Sequence, residues 1–164
     1  MINFKKISNK YKKFSNKDEL KDFLKDTYGD FFNTLTESEI SNILSSHSHG
    51  LNISDEFDLN IIRIIENVLL NIPPIPCDVV LFRGDDDNNY KNKLRPWLAH
   101  SFLKTTAKNF TSKNKIYTVY IPAGSKILPT CFLNAPGAFT EEEVILETKK
   151  LKKIWPHSFI YKDA

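Results

Sequence analysis

Three prolines within four residues, Pro73, Pro74 and Pro76, cut the chain into two parts of different character. Proline lacks the amide hydrogen that helices and inner strands need, so neither kind of element runs through this segment. On its N-terminal side the patterns are helical. Asn16 precedes Glu19 by three, an N-terminal capping signature, and Leu20, Phe23 and Leu24 then recur at helical spacing until Gly29. Thr36 and Glu39 form a second capping box ahead of Ile40, Ile43 and Leu44. Ser54, Asp55 and Glu56 open a third helix whose apolar face is Phe57, Ile61, Ile64, Ile65, Val68 and Leu69.

Beyond the prolines the chain reads as strands. Asp78 to Arg83 is a buried-type apolar run ended by Gly84 and a polar stretch, Asp85 to Asn89. Ser101–Thr106, Ile116–Ile121, Ile127–Phe132, Glu143–Glu147, Leu151–Trp155 and Phe159–Tyr161 follow as strand-like segments, with a helical turn at Ala107 to Phe110. No crossover helices separate them, so the strands are expected to pair mostly antiparallel. The predicted fold class is α+β: a helical N-terminal half on a mostly antiparallel, β-sandwich-like core. One domain is expected over 1–164, divided into a basic arm (1–17), helices (18–72) and a strand-rich part (77–161).

Composition narrows the function classes. A chain of 164 residues with 41% hydrophobic and 26% charged residues buries a core without a metal or disulfide staple. Cys77 and Cys131 lack metal-ligand spacing and fit a reducing compartment. The longest apolar stretch, Ile61 to Leu70, is interrupted by Arg63, Glu66 and Asn67, well short of a membrane span. The basic N-terminus is followed by no apolar segment and cleavage site, so the expectation is a cytoplasmic protein. A net charge of +3 is too mild to argue for nucleic acid. The chain holds twenty lysines but three arginines, Arg63, Arg83 and Arg95.

Dinucleotide-binding, phosphate-loop, serine-hydrolase and zinc-protease motifs are all missing. His47 and His49 read as a polar loop, and Asp85, Asp86 and Asp87 lack the alternation of a calcium loop, so no metal is expected. Three separated pieces remain. The first is Leu81-Phe82-Arg83-Gly84, and the second is Ser101-Phe102-Leu103-Lys104-Thr105-Thr106 with Phe110 beyond it. The third runs from Pro136-Gly137-Ala138-Phe139-Thr140 into Glu141-Glu142-Glu143 and then Val144-Ile145-Leu146. Strand periodicity places Glu141 and Glu143 on one face and Glu142 on the other. Two carboxylates side by side repel each other, and such a pair suits chemistry at a developing cation.

In this order the pieces resemble the mono-ADP-ribosyltransferases of the Arg–Ser–Glu type, including the enzymatic components of clostridial binary toxins and phage-encoded modifying enzymes. The matching segments are Phe82-Arg83-Gly84, Phe102-Leu103-Lys104-Thr105-Thr106, and Pro136-Gly137 leading into Glu141-x-Glu143-Val-Ile-Leu146. Tyr120-Ile121-Pro122-Ala-Gly124 resembles the strand-Pro-x-Gly segment of that family, and Leu151 to Ile154 its closing strand. The resemblance spans roughly residues 28–155. Two departures stand out: Lys104 replaces the first serine of the Ser-Thr-Ser motif, and Ala138 stands where an aromatic is usual.

What the resemblance implies is transfer of ADP-ribose from NAD to a protein acceptor, with release of nicotinamide. Glu143 would stabilise the ribosyl cation and Glu141 would activate an arginine acceptor. The cofactor-binding set would be Arg83, Gly84, Ser101, Phe102, Thr105 and Phe110. Arg83 would grip phosphate or ribose, Gly84 would let the backbone approach the carboxamide, and Phe110 would stack on nicotinamide. Ser101, Thr105 or Thr106 would supply the hydroxyl lost at Lys104. The partner would be a target protein, a host protein in the sense of the family's toxins, with the chain a monomer and neither membrane nor nucleic acid involved. NAD glycohydrolysis, an inactive binding module and a basic nucleic-acid binder are the competing readings.

Overall fold

The computed structural model describes residues 9–45, 51–133 and 142–163 together with Lys6. Helix α1 (Lys17–Phe32) begins where expected, because the Asn16 side chain accepts the Glu19 amide at 2.8 Å. Leu20, Leu24, Tyr28 and Phe32 recur every fourth residue and are buried, forming one stripe against the core. The helix therefore runs through Gly29 to the anchor Phe32 rather than stopping at the glycine. In α2 (Glu37–Ser45) the capping box is reciprocal: Thr36 N–H donates to Glu39 Oε1 at 2.9 Å and Glu39 N–H to Thr36 Oγ1 at 3.1 Å. Asp55 caps α3 (Glu56–Asn71) by accepting the amides of Phe57 and Asp58. Its buried face is Ile61, Ile62, Ile65 and Val68, while Phe57 lies outside it and is exposed. Ile72 is extended, as a residue before proline prefers, and the helix ends there.

The strands are β1 (Val79–Gly84), β2 (Trp97–Ser101), β3 (Ile116–Ile121), β4 (Glu143–Glu147), β5 (Leu151–Trp155) and β6 (Ser158–Tyr161). They form one six-stranded sheet in the order β4-β2-β1-β3-β6-β5. Every neighbouring pair is antiparallel except β3 with β6. This is the α+β class with mostly antiparallel pairing, the strands of the described residues joined in a single continuous ladder. Strand β1 is buried on both faces, which explains its unbroken apolar run. Val79 and Leu81 pack with α1 and α3 in the main core. Val80 and Phe82 face a smaller cluster with Tyr11, Ala107 and Tyr120. No helix among the described residues is long and apolar enough to cross a membrane.

Two strand expectations are corrected. The second strand occupies Trp97–Ser101 rather than Ser101–Thr106. The chain turns at once because the Ser101 hydroxyl takes the Leu103 amide at 3.1 Å, and Lys104–Ala107 then forms a helical turn, α4. Residues 127–132 form no strand either. Leu128 makes a single bridge to Ile145, Pro129 has no amide to extend it, and Thr130–Phe132 is a 3-10 turn.

Candidate active site

The C-terminal end of β1 opens into a cleft of about 540 Å³ whose lining includes Arg83, Gly84, Ser101, Phe110 and Glu143. Strand register brings these together. Phe82 is paired with Ser101 across β1–β2, and Ser101 with Glu143 across β2–β4. Arginine, serine and glutamate thus come from three adjacent strands, with Phe110 at the mouth on the segment after α4.

Arg83 is held rather than loose. Its Nε donates to Asp85 Oδ2 at 2.9 Å and one terminal nitrogen to the Ala99 carbonyl at 2.7 Å. A guanidinium carries five N–H donors, so three remain, and among the described residues none of them has a partner. Asp85 is fixed in turn, accepting the amides of Asp87 and Asn89, both at 3.0 Å. Burial alone would raise its pKa. The Asn89 amide, the Arg83 charge and the Asp87 amide outweigh that and hold the carboxyl below the usual range. Asp86 is tied to the loop after Phe110, accepting from the Thr111 and Ser112 hydroxyls and the amides of Ser112 and Lys113.

Gly84 is compelled by packing. A Cβ there would sit 2.0 Å from the Ala107 carbonyl oxygen, so α4 lies directly on the glycine. On the cleft floor, His100 Nδ1 donates to the Leu98 carbonyl at 3.0 Å, leaving Nε2 to accept from the Tyr90 hydroxyl at 2.7 Å. Burial, with Arg83 nearby, pushes its pKa down from 6.5 to about 3. The folded protein therefore refuses a proton that the unfolded chain takes up. Stability contributed this way is present above pH 6.5 and is lost as pH falls from there toward about 3. His100→Gln is expected to flatten this acid limb, read as urea midpoints between neutral and acidic pH.

Glu142 departs from the strand alternation expected of it. Glu143 is the first residue of β4 and is buried, with Thr130 donating its hydroxyl to Oε1 at 2.6 Å. Glu142 lies in a turn at φ 48°, a left-handed conformation, rather than on the opposite face of a strand. It is fully buried, accepts the Thr106 hydroxyl at 2.6 Å and pairs with the Lys17 ammonium at 3.3 Å. Its carbonyl accepts the Phe102 amide at 3.1 Å. Glu142 therefore ties α1, α4 and the end of β2 to the start of β4. Thr106→Val, which strips one donor from this carboxylate, is expected to cost about 1–3 kcal/mol in chemical denaturation. Glu141, with Pro136, Gly137, Ala138, Phe139 and Thr140, lies outside the described residues, as do His47 and His49.

Several sequence-predicted residues are placed elsewhere. Phe102 is completely buried and packs edge-on against Phe14, so it belongs to the core rather than to a cofactor surface. Thr105 is exposed on α4 and Lys104 lines a separate groove. Across the β2–β4 register the residue opposite Glu143 is Ser101, three residues before Lys104, and Ser101 lines the cleft while Lys104 does not. Thr106, one of the candidate hydroxyls, binds Glu142 rather than Glu143, while Thr130 and Lys17 approach the glutamates from distant segments that no local pattern in the sequence signals. Among the described residues no group of metal-ligating side chains occurs.

A scan against known protein families and a search of curated proteins both found no match. Solved structures do match. Plx2a, an ADP-ribosyltransferase toxin from Paenibacillus larvae, is 16% identical with a TM-score of 0.64, over 89% of this chain and 95% of that one. An ADP-ribosyltransferase from Clostridium botulinum is 14% identical with a TM-score of 0.64, over 93% of this chain and 96% of that one. BECa, an ADP-ribosylating toxin of C. perfringens solved with NADH, is 18% identical with a TM-score of 0.58, over 84% of this chain and 42% of that one. Nearly the whole lengths of Plx2a and the C. botulinum enzyme are shared, and the chain has the ADP-ribosyltransferase fold.

Proposed function

We propose that this chain transfers ADP-ribose from NAD to a protein, with arginine as the accepting side chain. The observation that carries this reading is the row Arg83, Ser101, Glu143 across three adjacent strands, opening into one cleft on this fold. The residues suit NAD. Arg83 keeps unpartnered donors at the cleft for a diphosphate, and Phe110 offers an exposed aromatic face at the mouth. BECa, on the same fold, was solved with NADH.

NAD would supply the ADP-ribosyl group, with nicotinamide as the leaving group. Glu143 would accept a ribose hydroxyl and stabilise positive charge growing on the sugar, an effect strengthened by its burial. Ser101 would help hold the same ribose, and Glu141 would take the proton from the incoming guanidinium. Arginine as acceptor rests on the resemblance, in which a glutamate rather than a glutamine two residues before the catalytic one, here Glu141 before Glu143, goes with a guanidinium acceptor. Lys104, which departs from the family's motif serine, is not among the residues lining the cleft. The proposed place of action is the cytoplasm, on a target protein, in the manner of a toxin.

The test is mass spectrometry of a bacterial lysate incubated with the protein and NAD. ADP-ribosylated arginine is expected, and its loss in Glu141→Gln while nicotinamide release continues would assign Glu141 to the acceptor. Free ADP-ribose with no modified protein would make the enzyme a glycohydrolase instead.

A further inference from the structure

Next to the cleft lies a second depression of about 500 Å³, lined by Lys104, Lys108, Lys113, Lys115 and His157. Lys104, Lys108 and Lys113 are exposed and Lys115 is half-buried. Among the described residues none of these lysines is paired with a carboxylate. The nearby acids are committed elsewhere. Asp85 is consumed by Arg83 and two loop amides, and Asp86 by the hydroxyls and amides of Thr111 to Lys113. Four ammonium groups in one hollow repel each other, and among the described residues no carboxylate is paired with them.

The hollow and the cleft share walls. Lys104 and Lys108 sit on the segment whose Ala107 and Phe110 line the cleft. The Thr111–Lys115 turn carries the lysines on one side and is fastened to Asp86 of the cleft on the other. An anionic group seated here would lie beside the cleft mouth, where an acceptor must enter. Lysine is a flexible point charge that suits scattered carboxylates, and a short hollow fits a few side chains rather than a nucleic-acid track.

Resting on the transferase reading, we propose that this lysine hollow docks an acidic segment, rich in aspartate and glutamate, of the acceptor protein. It would set acceptor choice through charge without touching NAD.

The test uses the full chain and a fluorescein-labelled peptide of alternating glutamate and glycine, with binding read by anisotropy. Wild type is expected to bind, more weakly as salt is added, and K104Q/K108Q/K113Q to bind roughly tenfold more weakly. Nicotinamide release from NAD without acceptor should stay at the wild-type rate in that variant, which also reports its folding. Equal peptide binding by wild type and variant overturns the proposal, as does tighter binding of a single-stranded oligonucleotide than of the peptide at matched salt. Nicotinamide release without peptide binding overturns the docking hollow alone. Peptide binding without nicotinamide release overturns the transferase reading instead.

Discussion

Glu143→Gln is expected to lower nicotinamide release from NAD, and transfer to protein, by on the order of 10²–10³-fold. The substitution keeps shape and removes charge. The Thr130 hydroxyl, now donating to Oε1 at 2.6 Å, can donate equally well to the amide oxygen of glutamine, so the local hydrogen bond survives. On the proposed reaction, what is lost is the fixed negative charge that would face a sugar becoming cationic as nicotinamide departs. A buried carboxylate works there at lower dielectric than water provides, which is why a single atom exchange has so large an effect. The thermal midpoint is expected to stay within about 2 °C of wild type, so inactivity cannot be blamed on unfolding. Undiminished nicotinamide release by the variant would remove Glu143 from the chemistry.

The second large effect is on stability. Gly84→Ala places a methyl group 2.0 Å from the Ala107 carbonyl oxygen and 3.1 Å from its carbonyl carbon, both of them backbone atoms. No side-chain rotation relieves such a contact; α4 itself has to move. Ala107 is buried in the smaller core cluster, and the segment it belongs to carries Phe110 to the cleft. The expected cost is about 3 kcal/mol or more, a fall of about 10 °C in thermal midpoint for a domain of this size. If the helix yields without unfolding, NAD affinity should drop while the midpoint moves little. A variant with wild-type midpoint and wild-type NAD affinity would show that the glycine is dispensable.

Gly84 also marks the boundary of what sequence could reveal. From sequence it reads as backbone room for a ligand; in the structure it lines the cleft, and the space a Cβ would take is filled by the carbonyl of Ala107, in a helix that starts twenty residues further on. Helix starts were legible because caps are local: Asn16, Thr36 and Asp55 satisfy amides two or three residues away. β1 was legible because burial on both faces leaves an unbroken apolar run. The second strand is shifted, because Ser101 bonds its own chain two residues on and ends the ladder where the residue pattern continues. Arg83, Ser101, Phe110 and Glu143 could be named in advance from their order along the chain, and the structure brings them to one cleft. Thr130 and the Lys17–Glu142–Thr106 linkage depend on contacts across 13 to 125 residues, beyond any local pattern.

The sheet order has a consequence for what its two borders offer to an approaching strand. β4 and β5 are the two borders of the ladder, so the strand carrying Glu143 has an outer row of backbone groups that could template another chain. On that border the Ile145 amide is already spent on the Leu128 carbonyl at 3.2 Å, and Pro129 next to it has no amide with which to extend the pairing. On the opposite border β5 exposes Lys152 and Lys153 and is followed by Pro156, so an approaching strand meets charge. The segment that supplies Thr130 to Glu143 thus covers part of the sheet's margin as well as holding that carboxylate, and loosening it would expose both the cleft glutamate and an aggregation-competent edge at once.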